Sequence, residues 1–359
     1  MPRLRRADCS SPGITRRRAG RGFAYYDCDG ARVDDPELLA RIRALAIPPA
    51  WTDVWICPWP NGHIQAIGTD ARGRKQYRYH DHWRLRRDQE KFDHMLEFAQ
   101  ALPGLRTACA ERLTPPDPDR PAKGGAGPAA PITRDRALAC ATRLLDLGFF
   151  RIGTEGYAEQ NQSYGLATIR KSHVKVADGF ITFDYTAKSG KRRIQSIVDP
   201  TVCDIVTRLK ARRGGGPELL AYERPDGGWS DIKSADINAF IKEVTGGDFS
   251  AKDFRTWSAT VLCSVGLAVS TEARSPTARK RAIVRAVKEV AHYLGNTPAV
   301  CRASYIDPRV IDRYQAGVTI GGALAKLAAD VDFGELSTHG AVEEAVLDML
   351  LDAPDAAAA

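Results

Sequence analysis

The chain has 359 residues, 43% hydrophobic and 27% charged, with a formal net charge of +8; it is long for one core and comfortable for two domains. No apolar run approaches the roughly 18 residues of a membrane span, and no apolar segment follows the basic N-terminus, so neither a membrane protein nor a secretory signal is expected. Eight scattered cysteines form no Cys-x-x-Cys pair and seven histidines lack metal-ligand spacing, which argues against zinc and a disulfide framework and fits a reducing cytoplasm.

Residues 1–22 are arginine-rich and poor in apolar side chains, and read as a basic arm or loose end. From Gly22 the pattern turns β-like: Phe23–Asp27 and Ala31–Val33 read as a hairpin around Asp29-Gly30. A short helix from near Pro36 covers Leu38 to Leu45. Strand signals follow at Asp53–Cys57, His63–Ile67 and Lys75–Tyr79, which alternate and are β-branched or aromatic. Helical character is read from near Asp88, with Phe92, Met95, Leu96, Ala99 and Leu102 on one face. Residues 114–131, rich in proline, glycine and alanine, read as a flexible surface loop.

A second helix ends at Gly148. Phe180–Lys188 and Lys191–Val198 form a hairpin around Ser189-Gly190, with lysines at its tip. Helical faces follow at Ile237–Val244, Phe254–Val265, Ile283–Leu294 and, in an acidic stretch, Val342–Leu351. The expected fold class is therefore α+β. A small β-rich antiparallel N-terminal domain spans 23–87. A mainly α-helical C-terminal domain with a small β-sheet spans 88–359, ending in an acidic tail over 327–359.

Residues 1–87 carry 17 Lys+Arg against 9 Asp+Glu, whereas 327–359 have 8 acidic residues and no Lys or Arg. Residues 88–326 therefore also balance at +8, and two basic segments with an acidic tail suggest a polyanion held by both domains, although the same balance serves solubility alone.

Five positions then fall in order: Arg151, Lys188, Arg255, Asn296 and Tyr305. Cleaving a phosphodiester without a metal needs charge stabilisation on the non-bridging oxygens and a proton for the leaving oxygen. Guanidinium suits the first task, a lysine the second, and a tyrosine can attack and hold the product covalently. Singly, each residue has a plainer reading. Arg151 could cap a helix or pair with Glu155, Lys188 and Lys191 are both polar tip residues, Asn296 follows a helix-ending glycine, and an isolated Tyr305 reads as a core aromatic. His173, His292 and Tyr293 read as packing or phosphate-side contacts.

With Phe149-Phe-Arg-Ile-Gly-Thr-Glu-Gly-Tyr, Ser163-Tyr-Gly-Leu-Ala-Thr-Ile-Arg-Lys-Ser-His-Val, Lys252-Asp-Phe-Arg-Thr-Trp and Leu294-Gly-Asn-Thr-Pro-Ala-Val-Cys-Arg-Ala-Ser-Tyr, the chain resembles a type IB DNA topoisomerase of the poxvirus and bacterial kind, over roughly residues 22 to 335. The resemblance implies that Arg151 and Arg255 clamp the scissile phosphate, that Lys188 protonates the departing 5′ oxygen with Lys252 assisting, and that Tyr305 forms a 3′-phosphotyrosyl link. Asn296 stands where the poxvirus-type enzymes have histidine, which keeps a hydrogen bond and removes a titrating group. Asp70–His80 resembles the family's DNA-contacting strand, so Arg74, Lys75, Gln76, Tyr77 and Tyr79 are implied DNA contacts, with Gly153 and Tyr157 in the second domain. On physics alone, residues 70–80 read equally as a solvated strand face.

The resemblance implies relaxation of supercoiled double-stranded DNA by a cytoplasmic, nucleoid-associated monomer, with no cofactor and no metal. No Gly-x-x-x-x-Gly-Lys-Ser/Thr loop is present, so ATP hydrolysis is not expected. No acidic cluster suggests a two-metal nuclease. Two alternatives stay open: a tyrosine recombinase, against which Lys252 in place of histidine speaks, and a non-catalytic DNA-binding protein.

Overall fold

The computed structural model describes residues 3–114, 130–270, 275–330 and 339–351. The chain divides into two compact units, Met1–Asp93 and His94–Ala359. Its architecture is α+β.

In the first unit, strands β1 (Ile14–Ala19), β2 (Gly22–Tyr26), β3 (Thr52–Ile56), β4 (Ile64–Thr69) and β5 (Lys75–Tyr79) form one antiparallel sheet in the order β2-β1-β3-β4-β5. Helix α1 (Pro36–Ala44) starts where the Asp35 carboxylate accepts from Glu37 N–H at 3.0 Å, with proline at its first position. Its Ile42 joins Ile14, Val33, Val54, Ile56 and Ala66 in the core.

Two expectations are corrected here. Residues 1–22 are not a loose arm throughout, because Ile14–Ala19 is a central strand: Ile14 is buried, Arg16 is half-buried and donates to Ile47 O, Pro48 O and Trp51 O, and Arg17 and Arg18 are exposed. The principal partner of Phe23–Tyr26 is accordingly β1, with Arg18 opposite Phe23, and the Asp29-Gly30 turn closes only on a single Tyr26–Arg32 bridge. Helix α2 (Asp81–Leu113) also begins seven residues before Asp88. Its first turns are almost wholly exposed, so they leave no apolar period in the sequence.

The second unit is built on α3 (Arg134–Gly148), which buries Leu138, Ala141, Leu144 and Leu145. Helix α4 (Glu155–Asn161) follows. Strands β6 (Val174–Ala177), β7 (Phe180–Ala187) and β8 (Lys191–Val198) make an antiparallel sheet in that order. Next come α5 (Pro200–Ala211), the short pair β9 (Ala221–Glu223) and β10 (Trp229–Asp231), α6 (Ser234–Thr245), α7 (Ala251–Ala268) and α8 (Pro276–Leu294). The chain continues through α9 (Pro298–Ser304), α10 (Pro308–Gln315), α11 (Gly321–Asp330) and α12 (Ala341–Leu351). The sequence reading had missed β6, β9, β10, α4, α5, α9, α10 and α11, most of them too short for a periodic signal.

Helix α12 is not a solvated acidic tail. Val346 and Leu350 are buried, and Glu343 accepts from Trp257 Nε1 at 2.8 Å while ion-pairing with Arg106. Arg106 also binds Asp146 at 2.8 Å, so α2, α3, α7 and α12 share one buried charge network. The segment expected as a flexible loop lies almost wholly outside the described residues, as do 331–338 and 352–359 of the expected tail.

Candidate active site

The site forms around the C-terminus of α8. Ser275 caps the start of this helix and Gly295 ends it, in a left-handed conformation at φ 63°. Gly295 N–H donates to His292 O at 3.1 Å and Asn296 N–H to Ala291 O at 2.9 Å. This double closure satisfies two of the four carbonyls left over at a helix end. Arginines take the other two. Leu294 O accepts from Arg255 Nη2 at 2.9 Å and from Arg151 Nη1 at 3.5 Å, and Tyr293 O accepts from Arg193 Nη2 at 2.6 Å. The negative end of the helix dipole thus gathers three guanidinium groups.

Each cation arrives on a different element. Arg151 follows α3 in an extended segment that lies against residues 165–168: Leu166 N–H donates to Arg151 O at 2.8 Å and Ala167 N–H to Ile152 O at 2.7 Å. Only glycines permit this approach. A Cβ on Gly153 (φ 72°) would sit 2.6 Å from Gly165 Cα. Arg255 comes from α7, is buried, and also donates to Phe149 O. Arg151 does not pair with Glu155, whose carboxylate instead caps α6 by accepting from Ser234 N–H at 2.9 Å.

Tyr305 sits at the end of α9, which Thr297 caps and Pro298 opens. Its ring is half-buried, with the Arg255 guanidinium carbon 5.3 Å from its centroid. Burial by itself would raise the phenol; the charges of Arg255 and Arg151, with the polar side chains of Arg255 and Asn296, outweigh it and hold Tyr305 below the ordinary tyrosine range. Burial, and then the charge of Arg151, press Arg255 below its usual value. Asn296 Oδ1 accepts from Arg151 Nη2. Arg255 Nε and Asn296 Nδ2 are buried without a hydrogen-bond partner. Two buried donors near the Tyr305 phenol are what an incoming anion would use.

Tyr305, Arg255, Arg151 and Asn296 are therefore brought together. Lys188 is exposed at the β7–β8 tip and lines an open cleft of about 570 Å³ that Asn296, Arg193 and Tyr293 also line. Lys252 is exposed one helical turn before Arg255. Gly153 holds backbone, and Tyr157 is exposed on α4.

In the first unit, strand alternation separates the expected contacts. Tyr77 and Tyr79 share the exposed face with Lys75, their rings stacked at 5.9 Å. Gln76 lies on the other face and donates to Asp70 Oδ2 at 2.9 Å, and Arg74 is ion-paired with the same carboxylate at 2.7 Å. Gln76 thus faces away from Tyr77 and Tyr79.

Sequence reasoning missed Arg193, Tyr185 and Gln195. The signal was there: Arg193 pairs with Tyr185, whose neighbours at two-residue spacing, Phe183 and Ala187, are also buried.

A family model described as eukaryotic DNA topoisomerase I, catalytic core, matches residues 80–320, and one described as bacterial DNA topoisomerase IB, N-terminal domain, matches 22–70. DNA topoisomerase 1B of Acanthamoeba polyphaga mimivirus is 34% identical over 310 residues, covering 84% of this chain and 88% of that one. The chain belongs to the type IB DNA topoisomerase family. DNA topoisomerase 1B of vaccinia virus (strain Copenhagen) is 19% identical over 78% of this chain and 82% of its own. DNA topoisomerase 1 of Daucus carota is 25% identical over 135 residues, 37% of this chain and 16% of its own. No helix among the described residues of this topoisomerase is long and apolar enough to cross a membrane, and no group of His, Cys, Asp or Glu among them could hold a metal ion.

Proposed function

We propose that this topoisomerase relaxes supercoiled duplex DNA through Tyr305, as a monomer at the nucleoid, without ATP or metal. The Tyr305 oxygen attacks the scissile phosphorus, its proton passing to solvent, and a P–O bond to tyrosine forms as the P–O5′ bond breaks. Arg151 and Arg255 take the charge on the non-bridging oxygens, with Asn296 as a neutral donor. Lys188, assisted by Lys252, delivers the proton that turns the leaving O5′ into a hydroxyl. The free 5′ end rotates about the intact strand. The 5′-hydroxyl then attacks the phosphotyrosine, returns a proton to Lys188 and displaces the phenolate, which takes a proton back from solvent, so the backbone is restored without net hydrolysis.

The observation that carries this reading is the phenol of Tyr305 beside two guanidiniums that are themselves fixed to backbone carbonyls. The test is supercoiled plasmid with chelator and no ATP, together with peptide mapping of the residue bonded to DNA after denaturant trapping. Relaxation with DNA on Tyr305 is expected; unchanged plasmid topology, or attachment elsewhere, refutes it.

A further inference from the structure

Of the three consecutive cations that open β8, only Arg193 turns inward. Lys191 is exposed and Arg192 pairs with Asp184 on the surface. Arg193 is half-buried, and three groups use its fork. Nη2 donates to Tyr293 O at 2.6 Å, Nε donates to Gln195 Oε1 at 3.1 Å, and the guanidinium lies against the phenol of Tyr185. It packs on the turn that ends α8, where a methyl group on Gly295 would meet Nη1 at 2.7 Å. Gln195 extends the chain by donating to Gly148 O, one residue before the Phe149 carbonyl that holds Arg255.

The Lys188 hairpin is thus fastened at two points to the backbone that carries the phosphate clamp. One is the α8 terminus, which accepts from Arg151 and Arg255; the other is the end of α3, which leads into Arg151. Buried Phe183, Tyr185 and Ala187 and the Tyr164 N–H bond to Thr186 O at 2.8 Å anchor strand β7 as far as Ala187, but residues 188–190 of the tip are all exposed, with Ser189 left-handed at φ 66°.

We propose that Arg193 is a positioning residue that locks the Lys188 hairpin to the C-terminus of α8, so that proton donor and phosphate clamp keep one spacing during cleavage. The inference rests on the roles given above to Lys188 and Tyr305. Lysine cannot substitute, because a single ammonium does not span the three partners of a planar fork.

The test uses the full-length enzyme on a duplex carrying one mapped cleavage site, made either with the ordinary phosphodiester or with sulfur in place of the bridging 5′ oxygen. In both, Tyr305 displaces the 5′ group from phosphorus. A 5′ thiolate leaves without a proton, since thiols ionise near pH 8.5, so the sulfur substrate has little use for a general acid. Arg193→Ala, Arg193→Lys and Arg193→Gln are assayed by single-turnover cleavage, keeping those variants that bind the duplex as the parent does. Cleavage of the ordinary substrate is expected to fall roughly 30-fold or more, a partial loss of the ~10²–10⁴-fold that general acid catalysis supplies. Cleavage of the sulfur substrate should stay within about threefold of the parent, because its leaving group needs no proton.

Two controls separate this inference from the one beneath it. Tyr305→Phe should give no adduct on either substrate, and Lys188→Ala should lose the ordinary substrate but keep the sulfur one; failure of either control overturns the parent assignment and this proposal with it. If both controls hold while the Arg193 variants lose the two substrates alike, or lose neither, the positioning role is wrong and the assignment of Tyr305 and Lys188 stands.

Discussion

The α8 terminus and strand β5 carry the same residue types, arginine, lysine and tyrosine, but hold them differently. At α8 the guanidiniums of Arg151 and Arg255 are fixed by carbonyls, and Arg255 is only 3% exposed. On β5, Lys75, Tyr77 and Tyr79 stand in solvent, the tyrosines 43% and 40% exposed. A charge tied down before the substrate arrives needs no reorganisation and acts in a low dielectric, so it can lower a barrier. An exposed charge is screened by salt and mostly supplies affinity. Under the proposed function, the contrast separates a surface built to react from one built to hold.

The sharpest break is Tyr305→Phe. It should abolish the denaturation-resistant DNA adduct while leaving duplex binding nearly unchanged, because one oxygen is lost and the ring remains; an adduct surviving in this variant, read on a denaturing gel, would contradict the role of Tyr305. Arg255→Ala should slow single-turnover cleavage by at least ~10²-fold, comparable to removing a preorganised donor. It should also move the alkaline rise of the cleavage rate to higher pH. The reactive phenolate accumulates as pH rises through the Tyr305 pKa, which Arg255 holds down. Near-normal rates, or an unmoved limb, would count against the pairing.

The scaffold beneath the site can be tested by stability. Glu343→Ala strands the Trp257 N–H and leaves Arg106 with Asp146 alone, and should cost roughly 1–3 kcal/mol, as leaving a buried donor unsatisfied does; a denaturant midpoint equal to the parent's would refute a structural role for α12. Asp146 belongs to the same network. Burial would raise its carboxyl, but Arg106 first, then His339 and Arg143, hold it below the usual range. Its contribution is therefore present above the ordinary aspartate pKa near ~3.9 and lost as pH falls through its lower folded value. Asp146→Asn should flatten that acid limb of the unfolding curve.

The smallest effect belongs to β5. Lys75→Ala should weaken duplex binding at low salt and reduce the slope of log affinity against log salt by about one, with adduct formation per bound enzyme unchanged. A loss of cleavage at saturating enzyme would erase the distinction between the two surfaces.

Much of this was legible in the primary order. The β7–β8 hairpin follows from alternation around Ser189-Gly190, and α3, α7 and α8 from their apolar periods. Helix α9 escaped because seven residues give no period, although Thr297-Pro298 is a helix-start signal in plain view. Helix α12 was read correctly as a helix and wrongly as a tail, since nothing local says that Glu343 finds Arg106 some 237 residues away in sequence. That Gln76 faces away from Tyr77 and Tyr79 follows from the pleat of β5 and not from adjacency along the chain.

The sequence by itself determined the family, the α+β class and the residue types required for phosphoryl transfer, because local pattern and motif spacing are properties of order along the chain. Only the tertiary structure decided that three arginines end on one helix terminus, that Arg193 turns inward while Arg192 stays out, and that two donors remain unpaired beside Tyr305. Those facts depend on which carbonyls a Schellman-type closure leaves open and on which strand face meets it, and such matches are made between distant segments in space.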